Sequence, residues 1–164
     1  MSRIIAIRDH RRPWPNEARP DFPEGRLNEA IAWVSIACAM LAGAVIGLWS
    51  FGGPLPAPAG FEAYDALPRR LFRLAHIAAI ALPVLNLLYV RYLGSGKGSR
   101  RIRLLGCRLL LAGSLLLPTL LAGAAFWLPL RYALPLPVSC LIAATVLQAQ
   151  AQLRSLFSSK GERR

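Results

Sequence analysis

Residues 104–128 read LLGCRLLLAGSLLLPTLLAGAAFWL. Arg108 is the only charged residue in the run, and no Asp or Glu interrupts it. A hydrocarbon core takes ~20 consecutive apolar residues to cross as a helix. Inside that core every backbone N–H and C=O must be satisfied within the protein, which a helix does by itself. A soluble domain spreads its apolar residues in short periodic runs, so a block of this length predicts a membrane span.

The same pattern recurs three more times. Apolar blocks run from Leu27 to Phe51, from Leu71 to Leu93 and from Tyr132 to about Leu153. The predicted fold is therefore all-α: a polytopic integral membrane protein with four transmembrane helices. The chain divides into a Pro/Arg-rich arm (1–26), a four-helix domain (27–153, with an outer loop at 52–68) and a basic tail (154–164). Asn28 is placed to cap the first span, with Glu29 in its first turn.

The charges are pushed between the blocks. The chain of 164 residues is 55% hydrophobic yet carries a net charge of +12. The arm, the segment between spans two and three, and the tail together hold fifteen Lys and Arg. The opposite side holds three: Arg69, Arg70 and Arg131. By the positive-inside rule both ends are expected in the cytoplasm. The arginines sit at block edges, with no basic helix face or aromatic platform beside them, so they do not read as a nucleic-acid surface. Trp49, Tyr64, Trp127 and Tyr132 are expected at the outer interface, and Trp33, Tyr89 and Tyr92 at the inner one.

The connections differ in kind. Gly52, Gly53, Pro54, Pro56, Pro58 and Gly60 predict an outer loop without helix or strand. The segment from Ser95 to Ser99 reads as a flexible turn, and the few residues around Pro129 make spans three and four antiparallel neighbours. Pro83 and Pro118 are expected to bend spans two and three, whereas Pro135 and Pro137 fall in the first turns of span four, where the missing donor costs little.

Several chemistries are excluded by what is missing. No carboxylate lies between Asp65 and Glu162, whereas proton-coupled transport and carboxylate-bridged metal sites need ionisable acids inside the membrane. His10 and His76 are the only histidines, and the sequence has no nucleophile, phosphate-loop or metalloprotease motif. Cys38, Cys107 and Cys140 lack metal-ligand or redox spacing and read as buried small hydrophobes. No catalytic residue and no metal site is expected.

Two stripes remain. Ser35, Ala39, Gly43 and Gly47 recur at four-residue intervals on span one, a seam of small residues where another helix can approach closely. On span two Arg69, Arg73 and His76 follow one another at i, i+4 and i+7 and share a helical face. An imidazole at membrane depth is a functional hypothesis by default. A haem would take His76 as axial ligand and Arg69 or Arg73 on its propionates. A quinone would accept a hydrogen bond from His76, and an anionic lipid headgroup or a partner's acidic side chain would be held by the arginines alone. In the plain structural alternative His76 bonds a carbonyl of a neighbouring helix and the arginines snorkel to lipid phosphates. The expectation drawn from these features is an accessory subunit of a larger respiratory or photosynthetic complex in a bacterial cytoplasmic membrane. Its partners would be lipids and other membrane subunits, not nucleic acid. The alternatives are a haem- or quinone-binding electron-transfer protein and a stand-alone assembly or transport-related factor.

Overall fold

The computed structural model describes residues 23–50, 52–93 and 99–161, which form helices and turns. Four long helices carry the chain: α1 (Pro23–Gly47), α2 (Leu67–Leu93), α3 (Arg100–Phe126) and α4 (Pro135–Gly161). A 3₁₀ turn at Leu128–Ala133 links α3 to α4. All four helices are long and apolar enough to cross a membrane. The arm before Pro23 and the glycine-rich turn at 94–98 lie outside the described residues.

The helix ends correct several expected boundaries. α1 starts at Pro23, a residue whose fixed φ suits the first helical position. Asn28 is thus not a cap: it lies more than a turn inside the helix and faces inward, 3% exposed. Ser99 caps α3, its Oγ accepting a hydrogen bond from the Ile102 amide at 3.4 Å. α4 begins at Pro135, not at Tyr132, because the extended backbone of Trp127 stops α3 and the chain turns once through 3₁₀ geometry. It continues to Gly161, since no helix breaker intervenes after Pro137. α2 and α3 run unbroken through Pro83 and Pro118. The expected outer loop of 52–68 is free of helix and strand up to residue 66, where α2 takes over its last two residues, and it folds through turns in which Gly52 and Gly60 take φ of 77° and 82°.

The helices pack in chain order. α3 packs extensively on both α2 and α4, and α1 packs on α2 with slight contact to α3. A third of the α3 span is buried, against 11% of α1 and of α4. The four helices therefore make an open row with α1 and α4 at its edges, not a closed bundle. Residues at the contacts are small: Ala32, Ala39, Ala75, Ala124 and Ala144 are buried. Large apolar side chains such as Val34, Leu41, Ile77, Leu116 and Ile142 point outward. Such an inverted distribution suits a lipid surround, where close backbone approach rather than hydrophobic exclusion holds helices together.

Tyr89, near the end of α2, turns inward between helices. It is buried with Cys107, Leu110 and Ala144, and Leu109 and Leu141 pack around this centre. The slot for its phenol exists because Gly106 has no side chain; a Cβ there would collide with the Tyr89 hydroxyl.

Candidate functional site

At one end of the row the outer loop is stapled to α2. Arg69 is 9% exposed, and its Nη1 donates to the carbonyls of Phe61 at 3.3 Å and Glu62 at 3.2 Å. Its guanidinium lies 5.4 Å from the centre of the Tyr64 ring and 5.9 Å from that of Trp49. Arg73 donates from Nη2 to the Tyr64 carbonyl at 3.4 Å and sits 4.1 Å over the same ring. A Pro- and Gly-rich loop makes few backbone bonds of its own, so its carbonyls need outside donors. These arginines supply them. Beneath the staple, Trp49, Phe61, Phe72 and Phe126 form an aromatic cluster that joins α1, the loop, α2 and α3, with ring centres 5.6–6.5 Å apart.

At the other end of α2 two asparagines tie three helices together. Asn28 Nδ2 donates both to Asn86 Oδ1 and to the Cys107 carbonyl, each at 3.1 Å. An amide nitrogen has two hydrogens, so one side chain serves both acceptors. Asn86 is 1% exposed, and its own Nδ2 has no partner among the described residues.

Between these ends a groove of about 410 Å³ opens among α1, α2 and α3. Its α1 wall includes Ser35, Cys38, Ala39 and Ala42; its α2 wall includes Phe72, His76, Ala79 and Pro83; its α3 wall includes Ser114, Pro118 and Thr119. The two prolines matter here. Each removes the donor that would bond the carbonyl four residues earlier, which is Ala79 for Pro83 and Ser114 for Pro118. Both of these residues line the groove. Thr119 and Ser114 direct their hydroxyls to the carbonyls of Leu115 and Leu111, at 2.7 and 3.0 Å.

His76 lies against α1 at Gly43. A Cβ on Gly43 would come within 2.7 Å of the imidazole Cε1 and 2.9 Å of Nε2, so only glycine admits the ring here. Nδ1 is buried and has no hydrogen-bond partner among the described residues, so the bond to a neighbouring helix carbonyl of the plain structural alternative is not made at this atom. A buried polar atom without a partner is costly in a low-dielectric interior.

The stripe expected on α2 thus divides in two. Arg69 and Arg73 turn to the loop, and His76 turns to the groove; neither arginine lines it. A haem bound at His76 would find these guanidiniums already engaged with carbonyls, away from its propionates. On α1, Ala39 is buried, Ser35 and Ala39 line the groove and Gly43 meets His76. Gly47 is exposed, with open space around it, because α1 ends there.

The bond between Asn28 and Asn86 is not legible in the sequence, nor are the roles of Phe61, Phe126 and Ser114. Asn28 looked like a cap because it stood at the edge of the apolar block, and the pairing of two asparagines 58 positions apart depends on how the helices register. The prolines were the available signal for the groove.

No family model matches the chain, and no curated protein or solved structure matches it either. What the fold defines is a class: among the described residues all regular structure is helical, with four helices long and apolar enough to cross a membrane. Its role has to be argued from its own chemistry.

Proposed function

We propose that this protein is a non-catalytic accessory subunit of a larger energy-transducing complex, respiratory or photosynthetic, in a bacterial cytoplasmic membrane. The observation that carries the reading is the open row: only 11% of the α1 and α4 spans is fully buried, and the interior between α1 and α3 does not close. Lipid can cover aliphatic faces, but it offers nothing to polar atoms at membrane depth. A chain built to stand alone gains by closing such an interior around its own side chains. A subunit of an assembly can leave it open to neighbours.

Orientation follows from charge. The excess of fifteen basic residues to three puts both termini in the cytoplasm and the stapled loop outside. Alkaline phosphatase fused after Tyr64 is expected to be active and a fusion at the C-terminus inactive; the reverse pattern would invert the topology. The electron-transfer character of the complex rests on the imidazole-bearing groove alone, since the arginines serve the loop.

Purification of the tagged protein from native membranes in mild detergent tests the role. Membrane subunits should co-purify in fixed stoichiometry, with their cofactors visible in the absorption spectrum of the same fraction. A lone, colourless 17.9 kDa chain would refute the accessory role. A Soret band on the isolated chain that disappears in His76→Ala would favour a haem carrier instead.

A further inference from the structure

We propose that the groove between α1 and α3 is the binding site of a membrane-soluble quinone, one of whose carbonyls accepts a hydrogen bond from the imidazole of His76. The inference stands on the groove and not on the accessory role, so it can fail or hold independently of that role.

The argument begins with the ring. A neutral imidazole has one N–H donor and one bare nitrogen acceptor. Nδ1 is enclosed without a partner. Orphaned buried N–H groups are rarer than under-satisfied acceptors, so the better tautomer leaves Nδ1 bare and carries the proton on Nε2. His76 lines the groove, and the edge of its ring that carries Nε2 lies along α1 at Gly43, so the donor it has to offer sits on the α1 side of the groove. The ligand must therefore bring an acceptor, and in this uncharged, acid-free setting a neutral one. Ser35 adds a hydroxyl to the opposite wall.

Depth and size then select among neutral acceptors. His76 is seven residues beyond Arg69, about 10 Å along the helix axis from the loop staple. The ester carbonyls and phosphates of lipids lie at the interface, so a lipid would pass His76 with only its hydrocarbon. A whole membrane-crossing helix does not seat in the groove, although neighbours can still cover the faces around it. The α1 wall runs from Ser35 to Ile46 and the α2 wall from Phe72 to Pro83, each about 16 Å of helix, whereas a membrane-crossing helix spans about 30 Å. A flat ring with carbonyls and an apolar tail fits the remaining description. The volume of about 410 Å³ falls within the ~300–1,000 Å³ of small-molecule sites. The small side chains of Ala39, Ala42 and Ala79 give the ring a smooth surface.

The test uses the full chain in nanodiscs, titrated with decylubiquinone, with bound quinone measured against protein-free discs. Saturable 1:1 binding above partition is expected, with the carbonyl stretch of bound quinone shifted to lower frequency. His76→Phe, which keeps a ring without a donor, should weaken binding about tenfold and remove the shift. His76→Gln, which keeps an N–H, should retain most of both, and Ala79→Leu should block the groove. Binding equal to that of empty discs, an unshifted carbonyl or indifference to both His76→Phe and Ala79→Leu would each overturn the proposal. So would equal displacement of the quinone by decanol, the outcome expected of a groove that holds lipid tails. If His76→Phe does not fold, the carbonyl shift in the unmodified protein and Ala79→Leu decide the matter.

Discussion

Arg69→Ala is expected to release the outer loop while leaving the helices in place. Arg69 is the only described side chain that donates to both Phe61 and Glu62, and it is nearly buried as it does so. Hydrogen bonds from a charged donor contribute about 1.5–3 kcal/mol, and a partly desolvated cation over an aromatic ring adds about 1 kcal/mol. A combined loss of about 3 kcal/mol corresponds to roughly a hundredfold faster local opening. Hydrogen exchange should report it at the amides of Leu55 and Phe61, which close turns onto Leu48 and Pro58. Arg69→Lys should recover little, since a point charge on a flexible stem does not reproduce the guanidinium's fork and stacking. Arg70→Ala, at an exposed position, should leave exchange unchanged. Equal exchange in Arg69→Ala and the parent protein would show that the staple does not hold the loop.

The second large effect is expected at the asparagine bridge. Asn28→Leu removes both bonds that tie α1 to α2 and α3 and leaves Asn86 with no partner at either end of its amide. Interhelical hydrogen bonds in membranes contribute about 1–2 kcal/mol each, and an orphaned buried amide adds its desolvation cost. A destabilisation of about 3 kcal/mol is therefore expected, readable as an earlier midpoint in SDS-driven unfolding. Asn86→Leu should cost less, because it also removes the unpaired Nδ2. The double variant should be milder than the sum of the singles, as replacing both partners by apolar groups leaves nothing unsatisfied. Strict additivity would mean that the two side chains do not interact.

The four helices long and apolar enough to cross a membrane were legible because that fitness is a condition on composition and length, and residues 104–128 meet it without reference to any other part of the chain. The loop was legible for the same local reason: its prolines and glycines forbid regular structure. What sequence could not supply was the register between helices. Arg69, Arg73 and His76 follow one another at helical spacing on α2, yet they separate by depth. The arginines meet the loop that folds back over them, and His76 meets α1 at Gly43. Asn28 illustrates the limit most clearly. Near a helix start an asparagine usually caps, and only the extension of α1 back to Pro23 turns it into an interior residue. The burial of Tyr89 depends in the same way on another helix, where Gly106 opens a slot for its phenol.

The measurement that bears most directly on the accessory role is site-specific photo-crosslinking in native membranes at native expression levels. The crosslinker would be placed in turn at Val34 and Leu41 on the outer face of α1 and at Ile142 and Val146 on α4, all of them exposed. The account predicts that at least one of these faces yields a single discrete protein adduct, the same partner at both positions on that face. Lipid adducts alone from all four positions would contradict it.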